Sequence, residues 1–256
     1  MNELQKQKKF QHLPNAPITE AIIDIRAKLP EGFDVKIFKS LKPILEKEFP
    51  KIVEMGMRQV QFQIVPAQAE EKLPVAKDLG IHGYFFQSTD GKNVAQFRRD
   101  GFTFNRLHPY TSWEEIFYQA SELWSLYLKT ASPVDVPKIA IRYINRIQLP
   151  LPIEKFEKYL KTTPILPVNC PQFVSGFLNR VTIHEPDLNI TAIITQALEG
   201  GDDGKYVPVI LDIEVSQPIV FDSDNERLLA RFSKLREMKN EIFFGSITEE
   251  TIKLFL

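Results

Sequence analysis

The chain has 256 residues, 43% of them hydrophobic and 25% charged, which suits one large globular domain or two small ones with a real core. Lys+Arg 32 against Asp+Glu 33 leaves a formal net charge of -1, so no global basic field can hold nucleic acid or an anionic membrane, and any such contact needs a local patch. One cysteine, Cys170, excludes an internal disulfide and a cysteine-based zinc cluster. With no apolar run near the ~18–20 residues of a membrane span, and no apolar stretch in MNELQKQKKFQH, the expectation is a cytoplasmic protein.

Residues 1–13, with Lys6, Lys8 and Lys9 among polar neighbours, predict a flexible tail. In PITEAIIDIRA, Ala21, Ile23 and Ile25 alternate with Ile22, Asp24 and Arg26, the pattern of a strand with one apolar face. Asp34 can then cap a helix carrying Ile37, Phe38, Leu41, Ile44 and Leu45, kinked at Pro43. RQVQFQIV (58–65) alternates Val60, Phe62 and Ile64 with Gln59, Gln61 and Gln63, a strand with one wet or ligand-facing side. A long connection over 66–80 follows. GYFFQS and NVAQFRR flank Asp90-Gly91, a hairpin signal, and the second strand is expected to run on through Gly101 into FTFNRL.

Ser112 and Glu115 form a capping box ahead of a helical stripe of Trp113, Ile116, Phe117, Ala120, Leu123, Trp124, Tyr127 and Leu128, whose tryptophans read as core. KIAIRYINRIQLP (138–150) is a long strand. A proline-rich connector then brackets one short helix, IEKFEKYL. Three strands follow in QFVSGFLNRVTIHE, LNITAIITQAL and YVPVILDIEVSQ, then a helix with Leu228, Leu229, Phe232 and Leu235, and a last short helix with a capping box of Ser246 and Glu249.

Written as elements, 14–131 and 137–256 both read β α β β β α. The expected class is α+β, with two-layer antiparallel sheets, helices packed on one face, and a duplicated βαβββα unit as an option. The expected boundaries are a tail over 1–13, a first half over 14–136 and a second over 137–256, as separate units or one continuous domain.

Two heptads, YINRIQL (143–149) and FLNRVTI (177–183), each place an Asn among apolar neighbours on one strand face: Tyr143, Asn145, Ile147 and Leu149, and Phe177, Asn179, Val181 and Ile183. A buried amide must have its donors and acceptors paired, so these asparagines fix a loop, a backbone edge or a ligand. The opposite faces offer Arg142 and Arg146 on one strand and Arg180 and His184 on the other, with Arg98, Arg106 and His108 on or just beyond the strand before the long helix, and Glu20, Asp24 and Arg26 on the first strand. Cross-sheet salt bridges are one reading. The other is a surplus of arginines forming an anion site, with Tyr84, Tyr110 and Tyr143 for stacking. The candidate ligand-binding residues are Arg98, Arg106, Arg142, Arg146, Asn145 and Tyr143, and Glu20 is a weak catalytic candidate as a general base.

The four histidines lack metal-ligand spacing, EGGDDGKY lacks the phosphate-loop spacing and reads as a hairpin tip, and no nucleophile elbow occurs; neither a metal nor a cofactor is expected.

PITEAIIDIR, QFRRDGFTFNRLHPYTSWEE and IRYINRIQLP together resemble a family of prokaryotic proteins described as sporadically distributed and of unknown function. The positions carrying the resemblance are Pro17, Ile18, Glu20, Asp100, Gly101, Pro109, Tyr110, Trp113, Arg142, Tyr143, Ile144 and Asn145, and it implies no activity, cofactor or catalytic residue. The leading expectation is a non-enzymatic binding module recognising a protein partner or an anionic ligand through an open sheet face. An enzyme on a phosphorylated or other anionic small molecule is the alternative, and a nucleic-acid-binding accessory protein the second, disfavoured by net charge. Self-association into a homo-oligomer stays open.

Overall fold

The structure is a computed structural model in which residues 10–61, 75–200, 204–219 and 225–256 are described. Its strands are β1 (Ile18–Lys28), β2 (Lys51–Gln61), β3 (Val75–Gln87), β4 (Asn93–Arg98), β5 (Gly101–Leu107), β6 (Asp135–Pro150), β7 (Leu178–Glu185), β8 (Ile190–Leu198) and β9 (Tyr206–Pro218). They form one nine-stranded antiparallel sheet in the order β2-β3-β4-β5-β1-β6-β9-β8-β7. The chain is thus α+β, and both expected halves share one sheet through the β1–β6 pair. The helices are α1 (Lys42–Leu45), α2 (Trp113–Ala131), α3 (Asn225–Ser246) and α4 (Glu249–Lys253). No helix among the described residues is long and apolar enough to cross a membrane.

Strand alternation sorts the side chains. Ala21, Ile23, Ile25 and Ala27 of β1 turn to the side also occupied by Tyr84 and Phe86, Phe97, Phe102 and Phe104, Ile139, Ile141 and Tyr143, and Leu211, Ile213 and Val215, all buried. α2 lays Trp124 and Tyr127 against Phe102 and Phe97, with ring centroids 6.2 Å apart in both pairs, and Phe38 stacks 5.2 Å from Tyr127. Each such ring stabilises the fold by about 1.5–3 kcal/mol. α3 crosses β9 and β6 with Phe232 and Leu235 buried. The opposite side of the sheet carries Glu20, Asp24, Arg26, Gln96, Arg98, Thr103, Asn105, Arg142, Asp212 and Glu214.

Several expected elements differ. The segment after Asp34 is a 3₁₀ helix, Val35–Leu41, passing into the single turn of α1; Pro43 has no N–H to give the Lys39 carbonyl, so it sits at the start of α1 and no continuous helix forms. Strand β3 begins at Val75, inside the expected connection. A bulge opposite Gly56, with Gly80 at φ 80, breaks the period-two pattern there. Of that connection, and of the Gln-faced strand, the residues 62–74 lie outside the described ones.

The chain does not run straight from β4 into β5 but reverses at Arg99-Asp100, pairing Arg98 with Gly101, so four strands rather than three precede α2 after α1. IEKFEKYL keeps only a 3₁₀ turn, Phe156–Lys158, too short between prolines to nucleate a helix. α4 is capped by Thr248, whose hydroxyl accepts from the Thr251 N–H, because α3 already contains Ser246. Within the expected tail, Phe10 stacks on Phe244 and Leu13 is buried, whereas Lys6, Lys8 and Lys9 lie outside the described residues.

Gly101 closes the β4–β5 turn at φ 141, where an added Cβ would sit 2.2 Å from the Ile25 carbonyl oxygen; around Gly56 nothing lies within 4 Å. Gly101→Ala is expected to lose at least about 2 kcal/mol in urea denaturation while Gly56→Ala stays within about 0.5 kcal/mol. Equal values would show that β1 yields to a side chain at this turn.

Candidate functional site

On the open face Arg26, Arg98, Arg142 and Arg146 are engaged, whereas Arg180 of β7 is exposed on the same face. Arg98 donates to Asp24 at 2.9 Å and lies 3.1 Å from Asp100; Arg26 pairs with the same two carboxylates, and His82 is 3.0 Å from Asp100. Burial pushes the Asp100 carboxyl up, but Arg98, Arg26 and the His82 hydrogen bond outweigh it and hold it below the usual range. Arg142 grips Asp212 with two bonds of 2.9 and 2.6 Å, and that hydrogen bonding, against the pull of burial, raises the guanidinium further. Arg146 is 3.4 Å from Glu199, and Glu20 accepts from the Asn105 amide at 2.6 Å.

The sequence-predicted residues therefore divide between two sides. Glu20, Arg98, Arg142 and Arg146 are on the open face, whereas Tyr143, Asn145 and Arg106 belong to the helix side. Arg106 donates to the Pro109 carbonyl and the Asn93 side chain, both at 3.0 Å. Asn145 is buried and donates to the Leu211 carbonyl at 2.8 Å and the Tyr143 carbonyl at 3.3 Å, fixing backbone as one of its expected roles required. Asn179 is not its buried counterpart, because β7 is the exposed outer strand of the sheet. Tyr84 and Tyr143 are core rings of the helix side, away from the arginines that they were expected to join.

The helix side holds a cavity of about 760 Å³, of the size that small ligands occupy. Its walls are the N-terminal segment 10–16, Ile18 at the start of β1, the loop His108-Pro109-Tyr110-Thr111, Asn145 of β6, and one face of α3. Asn15 donates its N–H to the Phe255 carbonyl and His108 donates its N–H to the Thr19 carbonyl, at 3.1 and 2.9 Å, tying roof and loop to the body.

Lys239 reaches from α3 into this cavity, its ammonium 4.1 Å from the centroid of the buried Tyr143 ring. Tyr143 is hydrogen-bonded to Tyr110, whose ring lies 5.9 Å away, and burial raises both phenols, so both stay neutral. The other two α3 cations that line the cavity have partners: Arg236 is 3.3 Å from Glu114 and 5.5 Å from the Trp113 ring, and Lys234 is 3.3 Å from Glu237. Among the described residues no carboxylate lies within 4.0 Å of the Lys239 amine. Burial, and then the charge of Arg236, lower Lys239 from the ordinary lysine value to about 7. The arrangement is an electropositive recess with one uncompensated amine.

Lys239 escaped the sequence reading, although a signal was present. The apolar stripe Leu228, Phe232, Leu235 continues at helical spacing onto position 239, where a lysine replaces the expected hydrophobe. The described residues hold no group of three His, Cys, Asp or Glu able to ligate a metal, and Cys170 is exposed. No protein-family model matches the chain, and no curated protein is significantly similar to it.

The Asp24 and Arg98 side chains are only 17% and 12% exposed, whereas Arg146 and Glu199 are 35% and 49% exposed. Asp24→Ala should therefore cost about 3 kcal/mol in chemical denaturation at pH 7, and Arg146→Ala under about 1 kcal/mol. A harmless Asp24→Ala would mean that Asp100 alone satisfies both guanidinium groups.

Proposed function

We propose that the protein is a cytoplasmic binding module for a small anionic molecule, and that its site is the helix-side cavity rather than the open sheet face. The observation that carries this reading is the Lys239 amine, set in a recess with no carboxylate within 4.0 Å of it among the described residues. Arg98, Arg142 and Arg146 are each paired with a carboxylate, which weighs against capture of an anion by these arginines. Membership of the sporadically distributed prokaryotic family is part of the reading and rests on the quoted motifs.

The finer architecture belongs to the same proposal: a sheet layer under a helix layer, arising by duplication. Outward from the central pair the order is β1-β5-β4-β3 on one side and β6-β9-β8-β7 on the other, each run followed in sequence by a long helix, with β2 as an addition. Superposing β1, β3–β5 and α2 on β6–β9 and α3 must align the helices in direction as well as the strands; opposed helices would sink the duplication.

Succinate is a suitable probe because its charge is constant from pH 6.5 to 9. Titration calorimetry should show binding that weakens as pH rises through about 7, where Lys239 gives up its proton, and that is lost in Lys239→Met. The other charged or titratable groups of the cavity are Tyr143, Tyr110, His12, His108, Lys234, Arg236 with Glu114, and Glu237. Lys239→Arg keeps its charge, so it should bind without the pH dependence; a pH dependence that persists there would transfer the effect to the histidines.

A second reading concerns β7, the eight-residue edge strand, with Leu178, Val181 and Ile183 exposed. An uncovered strand edge templates pairing. We propose a second copy as its occupant: antiparallel self-pairing centred on Thr182 sets Val181 against Ile183 and Asn179 against Glu185 of the other copy, with side chains kept on matching faces. Light scattering at tens of micromolar should report a dimer that Val181→Lys with Ile183→Lys converts to a monomer of unchanged melting temperature. A monomeric parent protein would end this reading.

A further inference from the structure

Lysine amines do two different things in cavities: as ammonium they attract anions, and as free amine they attack carbonyl carbon. The second needs a nucleophile that is unprotonated near neutral pH, that makes no salt bridge, and that faces space large enough for a substrate. Lys239 meets all three conditions. Its amine has no carboxylate within 4.0 Å among the described residues, it opens on a cavity of about 760 Å³, and it lies over the Tyr143 ring, whose hydroxyl is engaged by Tyr110. Burial and Arg236 leave a large share of it deprotonated at pH 7. Lys234, on the same helix, is salt-bridged to Glu237 instead.

The same wall supplies the means to hold an anionic end. Arg236 and His108 line the cavity with Lys239, and the Arg236 guanidinium makes a single ion pair, at 3.3 Å, with a well-exposed Glu114 carboxylate. Arg236 can therefore turn donors toward a ligand carboxylate without leaving a buried charge unpaired.

We propose that the ligand class of this cavity is a small 2-oxo acid, and that Lys239 captures it covalently as an imine. This rests on the anion-binding reading and adds a bond to it. The neutral amine adds to the keto carbon, forming the carbon–nitrogen bond of a carbinolamine. Loss of the former carbonyl oxygen as water, with one proton from nitrogen and one from solvent, leaves the protonated imine. No electrons are exchanged, and the positive iminium replaces the ammonium over the Tyr143 ring.

Pyruvate with sodium cyanoborohydride tests this on the full chain. The hydride reduces the imine to a secondary amine, and the adduct is read by intact mass and peptide mapping. One adduct per chain is expected at pH 7, at Lys239, forming at least tenfold faster than at any other lysine, and more slowly at pH 6, where the amine is protonated. Lys239→Arg should retain succinate binding yet give no adduct. If the parent protein binds succinate but gives no adduct, or spreads it evenly over surface lysines, imine capture is overturned and the anion site stands. If succinate does not bind but Lys239 is still trapped, the anion reading fails while the nucleophile survives. Absence of both removes the two together.

Discussion

The antiparallel pairing of β1 with β6 is the contact on which everything else in this molecule depends. It joins two runs of strands that are otherwise separate in sequence, and it sets which residues of each face the helices. Ile23 opposite Ile141 and Ala21 opposite Tyr143 go to the core; Asp24 opposite Ala140 and Ile22 opposite Arg142 go outward. A strand has a period of two, so a slip by one residue would exchange the faces wholesale. Such a slip would bury either Asp24 or Arg142 under the helices and strip the aromatic layer of half its partners.

Charge follows from the same pairing. On the open face, strands distant in sequence bring Asp24 to Arg98 and Asp212 to Arg142, so the charged residues satisfy one another. On the helix side a recess lies over β6 between α3, the 108–111 loop and the N-terminal segment. There Lys239 stands on a ring instead of a carboxylate, and its acidity reports on that surrounding.

What could be read from residues alone was local. The Ser112 cap, the α2 stripe, the Asp90-Gly91 hairpin and the alternation in β1 and β6 are carried by neighbours in sequence, and each is present. The shortfalls arise where long-range pairing or a backbone irregularity decides. The β3 bulge hides its alternation, the reversal at Asp100-Gly101 passes for continuity, and the partner of Arg142 depends on β9 lying beside β6. Tyr143 and Asn145 were assignable to one face by parity, but the cavity they adjoin is walled by five segments that no spacing rule links. Lys239 was legible only as an exception to the apolar stripe of its own helix.

One irregularity in the central pair lies beside the cavity. Ile18 pairs with Asn145 and Glu20 with Ile144, so Thr19 is an extra residue in β1, and its hydroxyl donates to the Ile144 carbonyl. The bulge takes up this extra residue, so Ile18 keeps its place opposite Asn145, faces inward and lines the cavity although it stands two positions from the outward Glu20. The chain before it is led over the same side, where Leu13 and Phe10 meet the core and α3. The bulge thus works as a take-up in the register, letting the extra residue pass while the N-terminal segment stays on the cavity side. A chain lacking Thr19 would pair Ile18 with Asn145 without a bulge, and Ile18 would still face the recess.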